Sequence, residues 1–207
     1  MILKNASLVL IIGFAFFCLW NKLTVSRRIR EEQAQEDDFW KREREANSVR
    51  RKPIDHLDYI EIPENLYFDL LPDNPETDSI RATVDDLRIC KILNLTGFTN
   101  TDLKLMYGTA NITDLSLYDQ NYTTLVTTLQ KWADILTDFG YEKEAVDIME
   151  FMVSTSVDIG KTYRLLAKFY LKNSQEKKYN NLLETARNLK SLNGPYILRS
   201  IEELKNE

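Results

Sequence analysis

The 207-residue chain reads as an all-α protein: an antiparallel stack of helix pairs, preceded by an N-terminal transmembrane helix and a charged juxtamembrane helix. Three observations carry that expectation. Beyond residue 120, apolar side chains recur at spacings of three and four through four successive segments. Near the start, 17 consecutive residues from Asn5 to Asn21 carry no charge. Between them, residues 22–52 are densely charged and contain neither Gly nor Pro to interrupt a helix.

Residues 1–21 are read as a membrane anchor. At about 1.5 Å per residue the uncharged run is roughly 25 Å long, near the short end of what crosses a hydrocarbon core of about 30 Å. Leu8, Ile11, Phe14 and Phe17 supply apolar surface, Trp20 sits where an interfacial aromatic belongs, and Lys4 and Lys22 can snorkel to the two interfaces. The rival reading is a cleaved signal peptide. Its one plausible cleavage site, Thr24-Val25-Ser26, is followed by Arg27-Arg28, a poor mature start.

Residues 22–52 hold ten Lys and Arg against seven Asp and Glu, a net of +3, and are expected to form a solvated helix or stalk. Residues 53–120 reverse the sign, with thirteen acidic and four basic side chains, a net of -9. Their first part, 53–78, carries Pro53, Pro63, Pro72 and Pro75 and is expected to be an extended acidic strap, because each Pro pushes its predecessor out of the helical region. Tyr59, Ile60, Ile62, Leu66, Tyr67 and Phe68 are too apolar for a free linker, so the strap is expected to lie along the folded domain of residues 79–207.

Within that domain, Ile80, Val84, Leu87 and Cys90 form the first helical stripe. A short helix comes next, capped at Asn100-Thr101-Asp102 and stopped at Gly108. Residues 109–120, rich in Thr, Asn and Asp, read as loop. Four stripes then appear: Val126, Leu129, Trp132, Ala133, Leu136 and Phe139; Ala145, Ile148, Met149 and Met152; Tyr163, Leu166, Ala167 and Tyr170; Tyr179, Leu182, Leu183, Ala186 and Leu189. Pro195 opens a last helix, where its missing N–H would be unpaired in any case.

A shift of 34 residues lays Leu129 on Tyr163, Trp132 on Leu166, Ala133 on Ala167 and Leu136 on Tyr170. The same shift lays Ile148 on Leu182, Met149 on Leu183 and Met152 on Ala186. A helix pair recurring at this period, with Ala133 and Ala145 at the close-approach positions, resembles the tetratricopeptide (TPR) repeat family. The repeats would run over about 126–159 and 160–192, with 195–206 similar to the family's cap helix. Tyr179 departs from the pattern, since a small residue is typical there, and neither unit ends in Pro. Taken with the anchor, the chain is similar to bacterial single-pass membrane proteins that carry a small TPR domain.

That resemblance implies a partner-binding groove lined by the first helix of each pair. Its exposed side would present Thr127, Gln130, Asp134 and Thr137 from one unit, and Lys161, Arg164, Lys168 and Leu171 from the next. The spacing of Lys161, Arg164 and Lys168 puts three cations on one helix face, suited to an acidic segment or a carboxylate. Two plainer readings stand beside it: a solvated face, or a face covered by the chain's own acidic segment.

Other functions find little support. A pI near 5.1 argues against nucleic acid as a partner. The single His56 excludes any site needing two imidazoles, and Cys18 and Cys90 form no metal or redox pair. No glycines lie close enough to cradle a phosphate. The expectation is a non-enzyme with no cofactor and no small-molecule substrate: a membrane-anchored protein-interaction scaffold, or alternatively a structural subunit of a larger membrane complex. Lys22, Arg27, Arg28 and Arg30 come after the anchor and only Lys4 precedes it, which favours a cytoplasmic domain. An anchor placed so early commonly exports the domain behind it, which favours the other side.

Overall fold

In the computed structural model the described residues are 2–72 and 74–205, with the side chains of residues 2–13, 15 and 18 left aside. Among them are eight α-helices and no strand. The fold is all-α.

Helix α1, Ile2–Ser48, is a single run of 47 residues, about 70 Å long. Among the described residues no helix is long and apolar enough to cross a membrane. Of the residues read as an anchor, the side chains of Leu8 and Ile11 lie outside the described set, whereas Phe14, Phe17 and Trp20 are exposed. The far end of α1 is not free. Arg42 pairs with Asp102 at 2.5 Å, Glu43 accepts hydrogen bonds from the Thr101 hydroxyl and from Lys104 Nζ, the latter at 2.9 Å, and Ala46 is fully buried. Hydrogen bonds from Thr101 and Lys104 hold the Glu43 carboxyl below its usual range.

These contacts belong to α3, Asn100–Tyr107. Its cap is Thr99, one residue earlier than the sequence suggests, in a reciprocal box with Asp102. Gly108 ends it at φ +86°, and a Cβ there would lie 2.3 Å from the Arg50 carbonyl oxygen. Only glycine lets the chain leaving α1 pass so close. Asn111, fully buried, then ties three segments together: its amide donates to Lys52 O and Tyr107 O while its oxygen accepts from Arg51 Nε.

The strap is extended up to a short 3₁₀ turn at Phe68–Leu70. Arg88 holds it by donating to the Ile62, Pro63 and Glu64 carbonyls. Trp132, fully buried, donates its indole N–H to Leu66 O at 2.7 Å, with the Phe68 ring 5.2 Å away. The strap ends sooner than residue 78, because α2 begins at Pro75 and runs to Arg88. Asn74 is extended, as a residue before Pro must be, and its side chain caps Glu76 N. The Asn-Pro pair therefore starts a helix rather than prolonging the strap.

Residues 112–120, expected to be loop, are the first turns of α4, Ile112–Asp138. Leu115 and Tyr122 are buried on one face, and Thr123, Thr124 and Thr127 return their hydroxyls to carbonyls four residues back. Polar composition suggests loop at 112–120, but the apolar spacing decides, and the hydroxyls of the following turns bond within the helix.

The remaining helices are α5 (Glu142–Ser154), α6 (Gly160–Lys172), α7 (Glu176–Arg187) and α8 (Gly194–Glu203). The starts of α5 and α7 lie 34 residues apart, as do those of α6 and α8. The turns repeat too. Phe139, Gly140 and Tyr141 donate to Ile135, Thr137 and Leu136, while Asn173, Ser174 and Gln175 donate to Phe169, Leu171 and Tyr170. Gly140 and Ser174 both take positive φ, +87° and +56°. The register continues into α8: Leu129, Tyr163 and Ile197 are buried alike, as are Ala133, Ala167 and Ile201, and Leu136, Tyr170 and Leu204. Tyr179, at the position where the repeat pattern favours a small residue, spans to α8 and donates to Ile201 O at 2.8 Å.

Two cores result. The main one joins the strap, α2 and α4–α8. A smaller one gathers Ile54, Leu93, Leu95, Leu103 and Leu115. Helix α2 packs on α4 as the stack's N-terminal neighbour, whereas α3 packs on α1 and serves the smaller core.

Gly108→Ala is expected to destabilise the fold by about 1–3 kcal/mol from backbone conformation alone, plus the clash with Arg50. Urea denaturation measures it, and an unchanged midpoint would refute the close approach. Burial raises the phenol of Tyr122 to about 12, and burial also raises those of Tyr163 and Tyr170, the last aided by its bond to Glu150. Unfolded tyrosine ionises near 10. The folded chain therefore holds protons that the unfolded chain releases, so stability is complete below about pH 10 and falls as pH rises through the folded values. Paired urea midpoints and tyrosinate absorbance across this range test the point; three buried tyrosines titrating like free ones would contradict it.

Candidate partner-binding face

Helix α6 buries Tyr163, Leu166, Ala167 and Tyr170 and turns Lys161, Arg164 and Lys168 outward. Sequence spacing therefore places the three cations correctly on one face, but they differ in what they meet. Lys161 Nζ pairs with Asp134 Oδ2 at 2.7 Å. Asp134 also accepts from Gln130 Nε2 at 2.9 Å, and the Gln130 oxygen accepts from the Thr162 hydroxyl.

Gln130 is not on the exposed side of α4, as the groove reading requires; it is only 8% exposed. Its neighbour Ala133 is small enough for α6 to approach, and an amide buried there needs both donor and acceptor partners. Thr162 supplies one and Asp134 the other. Gln130, Asp134 and Lys161 thus form a bridge between α4 and α6 rather than a free surface. Thr162 is absent from the groove that the repeat pattern implies, although a Thr at the start of a helix beside a buried stripe is the kind of residue that satisfies such an amide.

Arg164 and Lys168 are exposed and, among the described residues, form no ion pair. Beside them lies a cleft of about 150 Å³ where α4, α5 and α6 meet, lined by Val146, Met149, Leu165 and Phe169 and edged by Lys168 and Lys172. Lys172 reaches Glu142 at 3.3 Å. Leu165 and Phe169 sit one position off the buried stripe at a spacing of four, a signal present in the sequence beside the more conspicuous cations. The face offers an apolar slot with one unpaired cation, Lys168, at its edge beside the Lys172–Glu142 pair, and with Arg164 exposed one turn earlier on the same helix.

The acidic segment of residues 53–120 does not cover this face. Those of its carboxylates that form ion pairs among the described residues do so elsewhere: Asp55 with Lys91, Asp69 with Arg81, Glu76 with Lys131, Asp85 with Arg88, Asp102 with Arg42 and Asp114 with Arg51. His56 is exposed at a turn. Three Asn-x-Thr sequences put their amides to structural use: Asn94 donates to Thr155 O and Ser156 O, Asn111 is buried, and Asn121 donates to Lys91 O. No group of three or more His, Cys, Asp or Glu able to hold a metal occurs among the described residues.

Thr162→Val keeps the shape and removes the donor, leaving the buried Gln130 oxygen unpaired. It is expected to cost about 1–3 kcal/mol, whereas Lys161→Ser, which breaks a partly exposed pair, is expected to cost under about 1 kcal/mol. Equal effects in denaturant melts would mean the bridge is not built around the amide. Comparison of the chain with family models, curated proteins and solved structures finds no match.

Proposed function

We propose that the protein is a membrane-tethered interaction scaffold whose tetratricopeptide-like stack holds an acidic, partly apolar segment of a partner protein along α6. The observation that carries this reading is the pairing of unmatched charge with an apolar cleft: Arg164 and Lys168 lack carboxylate partners among the described residues, and Lys168 stands at the edge of the slot that Leu165 and Phe169 help to line. Charge-assisted hydrogen bonds to a carboxylate would fix the segment, and an apolar side chain in the slot would set its register. The repeat reading is supported by the common 34-residue spacing of helices and turns, with α2 and α8 covering the faces that two units alone would leave bare.

The tether rests on the uncharged run from Asn5 to Asn21, with Phe14, Phe17 and Trp20 exposed on α1 as lipid-facing side chains would be. Arg27, Arg28 and Arg30 come next, each worth about 1 kcal/mol against an anionic leaflet, and they orient the domain toward the cytoplasm. A second reading, a permanent subunit of a larger complex, is favoured by the exposure of Ile89, Phe139, Leu192 and Tyr196.

A photo-activatable cross-linker at position 172, at the edge of the cleft, in the full chain in native membranes distinguishes these. A scaffold yields partners whose capture falls at least tenfold in Arg164→Glu/Lys168→Glu, with an unchanged melting temperature. A permanent subunit co-purifies undiminished in that variant. Release of the chain from membranes by alkaline carbonate would remove the tether.

A further inference from the structure

A larger cavity, about 450 Å³, lies at the other end of α5 from the cleft and shares no residue with it. The strap supplies Asp58, Tyr59, Ile60 and Glu61; the segment after α2 supplies Leu93, Asn94, Thr96 and Phe98. The ends of α5 and α7 close the remaining sides. We propose that this cavity binds an organic cation, an ammonium or guanidinium group.

Three features of its wall agree on that sign. Asp58 and Glu61 are both exposed, and among the described residues neither is in an ion pair. Helices α5 and α7 end at the cavity, at Ser154 and Arg187, so the negative ends of two helix dipoles face it. Tyr59 and Phe98 bring aromatic faces, which attract cations. The Ser191 hydroxyl oxygen in the wall is also buried without a partner within the protein, free to hydrogen-bond a ligand of either sign.

Lys190 also lines the cavity, so the wall carries two carboxylates and one ammonium. Lys190 holds its ammonium 5.1 Å from the Phe98 ring centre, and Lys91 holds its own 4.8 Å from Tyr59 while pairing with Asp55. Each aromatic face thus holds an ammonium group that a ligand cation would displace, and neither lysine pairs with Asp58 or Glu61. The cavity is also rigid on one side. Asn94 donates to the Thr155 and Ser156 carbonyls at 2.8 and 3.2 Å, which fixes the end of α5 against the segment after α2. At this size the site admits a side chain together with a few flanking backbone atoms.

The test uses the full chain in detergent and a fluorescent pentapeptide with a central Arg, titrated by anisotropy. Saturable binding is expected, weakened at least tenfold in Asp58→Asn/Glu61→Gln and unaffected in Arg164→Ser/Lys168→Ser, which separates this site from the face on α6. Both substituted carboxylates are exposed, so the melting temperature is expected to hold. Absence of binding, equal binding of a citrulline peptide, preference for a Glu peptide, or full binding by the carboxamide variant would each overturn the proposal. Spermidine competing as well as the peptide identifies a free amine as the source of the cation; failure to compete identifies a basic segment of a partner.

Discussion

Everything in this molecule hangs on α4 remaining one unbroken helix. Among the described helices it is the one that contributes to both cores: Leu115 near its start belongs to the smaller, and Tyr122 through Leu136 belong to the larger. Because a helix transmits position rigidly at about 1.5 Å per residue, the α1–α3 corner and the helix pairs are set relative to each other by its backbone. The strap then crosses from one core to the other, and Trp132 fastens it through a hydrogen bond to a backbone carbonyl in a fully buried setting. Such a bond is costly to leave unmade, so the strap is part of the fold and not an appendage.

Much of this is legible in the sequence. The 34-residue offset identifies equivalent buried positions in α4–α7, and burial of Leu129, Trp132, Ala133, Leu136, Tyr163, Leu166, Ala167 and Tyr170 agrees with it residue by residue. The same offset also reaches Ile197, Ile201 and Leu204, so α8 continues the register as well as ending the stack. The elements that depart from expectation share a cause. Composition alone points to loop at residues 112–120 and to extended chain at Asn74-Pro75. Their conformation depends instead on what each residue can satisfy: Leu115 and Tyr122 bury one helix face, and the Asn74 side chain caps a helix.

The candidate face is legible in part for a related reason. Periodicity places a side chain on a helix face but does not say which neighbour stands opposite. Arg164 and Lys168 remain exposed, while Gln130, on α4, is buried where Thr162 in the first turn of α6 meets it. Charge behaves similarly. A strongly acidic segment beside a cationic stripe invites the inference that the two meet, yet the segment's carboxylates find closer cations on α1, on α2 and on α4. Local pairs win because the strap's path is already set by Arg88 and Trp132.

The grip on α1 has a mechanical consequence. Contacts from Arg42 to Ala46 clamp little more than one turn of a helix about 70 Å long. Such a helix is a lever with a short seat: a sideways load at its far end reaches the seat multiplied roughly tenfold. The Glu43–Lys104 pair, the Thr101 hydroxyl and the tight passage of Arg50 beside Gly108 lie at that fulcrum. Torque on α1 would therefore be felt first at α3 and the smaller core, leaving the helix pairs beyond α4 undisturbed until the fulcrum gives way.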